Sequence, residues 1–144
     1  MERLTVPGTL DSLTEIRKYV TAAAAAAGLD KKATYRLNLA VDEIATNIII
    51  HGYDEAGREG MIDLWSEIDE KTLTISLEDS GATYNPFQSD VELDLDLPLE
   101  QRQIGGLGVY LTIQSVDKFL YEHTSEDRNR HTFVMNRSPA SLAQ

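Results

Sequence analysis

The chain has 144 residues, a length that suits one domain with a real core rather than two. Of these, 42% are hydrophobic and 26% charged, the balance of a globular protein, and the lack of cysteine excludes a disulfide framework or a thiolate metal site. The formal net charge of −11 disfavours polyanionic partners, so neither nucleic acid nor an anionic membrane surface is expected, though a small anionic ligand is not excluded.

No apolar run approaches membrane-spanning length, and residues 1–13 lack the apolar stretch of a secretory signal, so a cytoplasmic location is expected. In chain order, RLTVPG at residues 3–8 predicts a short strand ended by Pro7-Gly8. Ser12 and Glu15 have capping-box spacing, and Leu13, Ile16, Tyr19 and Val20 give the apolar stripe of a first helix. Its alanine run at 22–27 extends it, because Ala is the best helix former, and Gly28 is the expected stop. Asp30 can cap a second helix running to about His51, with Leu37, Ala40, Val41, Ile44 and Ile48 on its buried side.

That helix carries DEIATNIIIHGY at 42–53. Glu43, Asn47 and His51 recur at i, i+4 and i+8 and so fall on one stripe, at the margin of the apolar face for Glu43 and Asn47, while Asp42 points elsewhere. Such a stripe is either a solvated face or a place where something polar is held. Residues 61–69 and 71–79 predict an antiparallel hairpin around a tight Asp69-Glu70 turn. Leu73, Ile75 and Leu77 share one face and Asp79 continues their phase. An acid ending a core-facing row either caps the turn at Ser80-Gly81 or reaches inward to a ligand. Trp65 falls on the opposite face, with Asp63 and Glu67, where it anchors a partner or lies over neighbouring strand residues.

Residues 80–104 read as irregular, with five acids and Pro98 opposing a strand. GGLG at 105–108 opens a helix carrying Val109, Ile113 and Val116, and two strands follow near 117–123 and 131–137. Residues 1–137 thus form a single domain and 138–144 a frayed tail. The order of elements predicts an α+β two-layer sandwich with helices on one face.

Taken together, DEIATNIIIHGY, DSGATYNPF at 79–87 and GGLGVYLTI at 105–113 resemble the N box and the two glycine boxes of the GHKL, or Bergerat-fold, ATPases. Among them the chain is most similar to the small bacterial anti-sigma-factor serine/threonine kinases and related anti-sigma regulatory factors. The resemblance runs from about Leu37 to Asn136 and includes LPLEQRQIGGLG before the second glycine box and NRHTFVM as the last strand. It implies a mixed, mainly antiparallel sheet, with ATP and Mg²⁺ as cofactors. By the same resemblance Asn47 offers its oxygen to Mg²⁺ and Glu43 is the general base for an attacking hydroxyl. Asp79 would accept from the adenine amine, selecting ATP over GTP, and Gly81 would let the backbone approach the ring.

Gly105, Gly106, Leu107 and Gly108 would turn backbone amides toward the phosphates. Residues 88–104 correspond to the ATP lid, whose one cation, Arg102, is a phosphate contact or an ordinary surface arginine. Thr132 matches a family threonine and touches a phosphate or packs. Two positions depart from the pattern: Thr83 replaces the second glycine of the first box, and His131 stands where a glycine often precedes the threonine. His51 would orient the end of the N box or bond locally, and His123 and His131 read as ordinary strand residues.

The resemblance implies a protein kinase that sequesters a sigma factor, phosphorylates a STAS-domain anti-anti-sigma partner and can form a homodimer. The alternative is a nucleotide-binding module that switches partners without useful phosphotransfer. A Walker A sequence, the signatures of eukaryotic-type kinases and a metalloprotease motif do not occur, and 144 residues leave no room for the phosphoacceptor helix pair of a sensor histidine kinase core.

Overall fold

The computed structural model describes residues 2–82 and 114–137. In chain order these form β1 (Leu4–Pro7), α1 (Leu13–Ala26), α2 (Lys31–Asn47), a π-helical segment (Ile48–Asp54), β2 (Met61–Ile68), β3 (Thr72–Asp79), β4 (Lys118–His123) and β5 (Asn129–Asn136). The expected lid, the helix after GGLG and the tail at 138–144 lie outside the described residues.

The strands form one sheet in the order β1-β2-β3-β5-β4, and all four pairings are antiparallel. Strand alternation sorts the side chains onto two faces. On the inner face Ile62, Leu64, Leu73, Ile75, Leu77, Phe119, Phe133 and Met135 are buried and meet Ile16, Val20, Leu37, Val41 and Ile44 of the two helices in a single core. The predicted sandwich with helices on one face is therefore the observed one. Among the described residues no helix is long and apolar enough to cross a membrane.

Both helices begin and end for local reasons. Asp30 has extended backbone and its side chain accepts the Ala33 N–H at 2.8 Å, the N-cap bond its sequence position predicts. Gly28 has φ +76°, and the bonds from Leu29 N–H to the Ala24 carbonyl and from Gly28 N–H to that of Ala25, both 3.0 Å, close a Schellman motif. The capping box does not form. A 3₁₀ turn at Leu10–Ser12 leads into α1, so Ser12 is already helical, makes no capping bond and is buried; the residue with the extended backbone a cap needs is Thr9.

The hairpin turn is held by Asp69, whose carboxylate accepts the N–H groups of Lys71 at 2.8 Å and Thr72 at 2.7 Å. Those two bonds hold its carboxyl below the usual aspartate range. The outer face carries a chain of ion pairs: Arg128 bonds to Glu78 and Asp63, and Arg130 to Glu78 and Glu122. Trp65 lies there with Arg3 4.4 Å and Arg130 5.5 Å from its ring centroid, and its register partner Ser76 is buried. The Trp65 ring thus carries two guanidinium groups on the outer face.

Candidate functional site

The C-terminal end of α2 supplies the first part of the site. Helical spacing sets Glu43 and Asn47 one turn apart, Glu43 half-buried and Asn47 only 7% exposed. The Asn47 amide nitrogen donates to the Glu43 carbonyl at 2.9 Å and approaches the Glu43 carboxylate at 3.4 Å. A carbonyl can only accept, so nitrogen must face it, and the Asn47 side-chain oxygen is the end the helix does not use. Asp42 does point elsewhere, pairing with Arg17 of α1 at 2.8 Å.

Beyond Asn47 the helix widens. Glu55 and Arg58 donate five residues back, to the carbonyls of Ile50 and Tyr53, both at 2.8 Å. On this segment the His51 side chain is 45% exposed and its Nδ1 lies 2.6 Å from a carboxylate oxygen of Glu55, four residues on. Of the three residues of the expected stripe, Glu43 and Asn47 bond to each other, and His51 makes the local bond that was one of its two expected roles.

The end of β3 supplies the second part. Asp79 is 1% exposed, in phase with Leu73, Ile75 and Leu77. Its Oδ1 accepts the Gly81 N–H at 2.9 Å and the Asn129 side-chain amide at 3.1 Å, while Oδ2 is buried with no hydrogen-bond partner. One oxygen caps the turn, the first of the two readings of this acid, and the other has no partner among the described residues. Leaving a buried acceptor unpaired costs about 1–3 kcal/mol. Burial pushes the Asp79 carboxyl above its usual range, against the pull of the Asn129 and Gly81 donors.

Tyr53 ties the two parts together. Its hydroxyl donates to the Met61 carbonyl at 2.7 Å and accepts the Ser80 N–H at 3.0 Å. A Cβ at Gly8 would stand 2.4 Å from its ring and one at Gly60 2.8 Å, so the two glycines make the slot in which the ring lies. Next to it Ala82 N–H donates to the Gly52 carbonyl at 2.9 Å, and a Cβ at Gly81 would meet that oxygen at 2.8 Å. Gly81 is thus required by close approach to the π-helical backbone, a constraint that DSG alone does not reveal. Tyr53→Phe removes two hydrogen bonds and is expected to cost about 1–3 kcal/mol, read from the urea midpoint at unchanged slope. An unchanged midpoint would mean that the hydroxyl does not hold the strand end.

This geometry sits on a chain whose residues 6–135 match the family described as the histidine kinase-like ATPase domain. The chain belongs to that family. A relative described as the serine-protein kinase RsbW of Staphylococcus aureus (strain bovine RF122 / ET3-1) is 26% identical over 116 residues, spanning 78% of this chain and 73% of the relative. A relative of the same description from Halalkalibacterium halodurans is 28% identical over 118 residues, spanning 80% of this chain and 71% of its own length. Among solved structures, the histidine kinase domain of the Erythrobacter litoralis EL346 blue-light activated histidine kinase superposes with a TM-score of 0.56 at 17% identity. That match covers 92% of this chain and 63% of the solved one, and it bears on the fold.

Within a histidine kinase-like ATPase domain, ATP is the expected nucleotide. The described residues set Glu43 against Asn47 at the end of α2, and bind the strand end that carries Asp79 and Gly81 to Tyr53 and Gly52 of the π-helical segment that follows. Arg102, Gly105, Gly106, Leu107, Gly108 and Thr83 lie outside them. Thr132 is in the wrong phase for the site. Its neighbours His131 and Phe133 are buried on the inner face, and its own register partners are Ser76 and Leu120, so Thr132 falls on the outer face. The side chain on the site's face at this point of the strand is His131, set in the core 5.0 Å from the Tyr121 ring.

Asn129 was not legible as a site residue: it begins β5 as a plain polar residue, and only the register Asp79↔Asn129 reveals its contact. No group of three or more His, Cys, Asp or Glu side chains able to hold a metal occurs among the described residues. The Asn47 oxygen is a single hard donor, which fits a cation held mainly by phosphates and water.

Proposed function

We propose that this chain is an ATP-dependent protein serine/threonine kinase of the anti-sigma type. It holds a sigma factor, phosphorylates a STAS-domain anti-anti-sigma partner and acts as a homodimer. The observation that carries this reading is the divided carboxylate of Asp79, one oxygen saturated by the chain and the other buried without a partner. A buried carboxylate that can only accept fits the exocyclic amine of adenine, whereas guanine presents a carbonyl there.

Asn47 would give its side-chain oxygen to Mg²⁺ and Glu43, one turn away, would draw the proton from the attacking serine hydroxyl. The metal offsets charge on the transferring phosphoryl group. A phosphate placed on the STAS-domain partner would repel it from this acidic chain, leaving the kinase free for the sigma factor. The described residues are consistent with a cytoplasmic protein, the compartment in which both partners would be met.

One observation favours the alternative, a partner-switching module without useful phosphotransfer. The Glu43 carboxylate accepts weakly from the Asn47 amide at 3.4 Å, which gives it a use that needs no base chemistry. Incubation with γ-labelled ATP, Mg²⁺ and a STAS-domain protein separates the two. Label on a serine of the partner is the expected result; ATP-dependent complex formation without label would establish the module instead.

A further inference from the structure

We infer that Asn129 is the positioning residue for base recognition: by holding one oxygen of the Asp79 carboxylate, it fixes the orientation of the group and keeps the other oxygen a free acceptor, which sets the preference for an amino over a carbonyl edge of a purine. This rests on the reading of Asp79 as the acid that recognises the base.

Asn129 is 2% exposed, and its amide is bonded at both ends. Its amide nitrogen donates to Asp79 Oδ1 and to the Gly81 carbonyl, both at 3.1 Å. Its oxygen accepts from the Tyr121 hydroxyl at 2.9 Å, and His123 Nδ1 lies 3.2 Å from it. The amide cannot turn over, because its oxygen would then face the Gly81 carbonyl and the Asp79 carboxylate, neither of which donates.

The consequence falls on Asp79. Two donors, Gly81 N–H and Asn129, hold the same oxygen, so the carboxylate cannot turn away from this orientation without losing both bonds. The same donors favour the ionised form, which is a pure acceptor. Oδ2 is left pointing away from every described donor, and the edge it takes must itself donate. Adenine does so; guanine at the same place does not. Replacing the Asn129 donor by a carboxyl group would set two acids side by side, which share one proton rather than both ionising. Asp79 could then offer an O–H and accept a carbonyl edge.

The test is calorimetric titration with ATP and GTP of the wild type, Asp79→Asn, Asn129→Asp and Tyr121→Phe, with a melting temperature for each. Asn129→Asp is expected to lower the ATP:GTP affinity ratio roughly tenfold or more, the factor carried by one charge-assisted hydrogen bond. Tyr121→Phe, which frees one anchor of the Asn129 oxygen, is expected to lower it less. A purely structural asparagine would lower the melting temperature and leave the ratio where it is. Should Asn129→Asp fail to fold, Tyr121→Phe decides alone. A wild-type ratio that collapses in Asp79→Asn but survives in the foldable variants of this network overturns the role of Asn129. A wild type without adenine preference overturns the reading of Asp79, and this inference with it.

Discussion

Asp79→Asn is expected to cost about 1.5–3 kcal/mol of ATP binding, roughly 10- to 150-fold in Kd, because it removes a charged acceptor and sets an amide donor against the adenine amine. The same change should leave the fold intact or steadier. In the wild type, burial raises the Asp79 carboxyl above its usual value of 3.8, so the folded chain holds that proton more tightly than the unfolded one. For an acid shifted upward, the contribution to stability is most favourable below the unfolded value. It declines as pH rises from there through the folded value. Asparagine does not titrate and escapes that decline. The difference in melting temperature between variant and wild type should therefore move in the variant's favour as pH climbs through this window. Loss of folding in step with loss of binding would instead make Asp79 a structural acid.

Glu43→Gln is the second large effect. Glutamine keeps an oxygen that can accept from the Asn47 amide but cannot take a proton from a hydroxyl. Nucleotide affinity should stay where it is, while phosphotransfer to the partner falls by about 10²–10⁴-fold, the range of a general base. Undiminished transfer would mean that the carboxylate serves to orient Asn47 and that the base lies elsewhere. Asn47→Ala is the companion experiment: Mg²⁺ should no longer strengthen ATP binding, and an unchanged dependence would dismiss its oxygen as a ligand.

Much of this molecule could be read before it was seen. The apolar rows of α2 and β3 have periods of 3.6 and 2, which place Leu37, Val41 and Ile44 against Leu73, Ile75 and Leu77, and those residues are the core. Asp79 was conspicuous because it breaks such a row, and Asp30 and Gly28 carry their capping roles in their side chains. What escaped depends on geometry that composition does not encode. Spacing assumes a uniform helix, so the π-helical segment that carries His51 and Tyr53 could not be anticipated. Ser12 has the chemistry of a cap, but the preceding 3₁₀ turn denies it the backbone. Thr132 was matched by residue type, whereas strand phase, fixed by the register Leu77↔His131, puts it on the other face. Asn129 and Tyr53 act across 50 and 27 residues of sequence, through contacts that exist only once β5 and the π-helical segment have packed.

The central claim is that the unpaired oxygen of Asp79 recognises the base of a magnesium-bound nucleotide. Calorimetric titration of the wild type and Asp79→Asn with ATP, ADP and GTP, each with and without Mg²⁺, tests it most directly. The account predicts binding that prefers adenine, strengthens with Mg²⁺ for ATP and is weakened at least about tenfold in the variant. Equal affinity for ATP and GTP in the wild type, or ATP binding undiminished by Asp79→Asn, would contradict it.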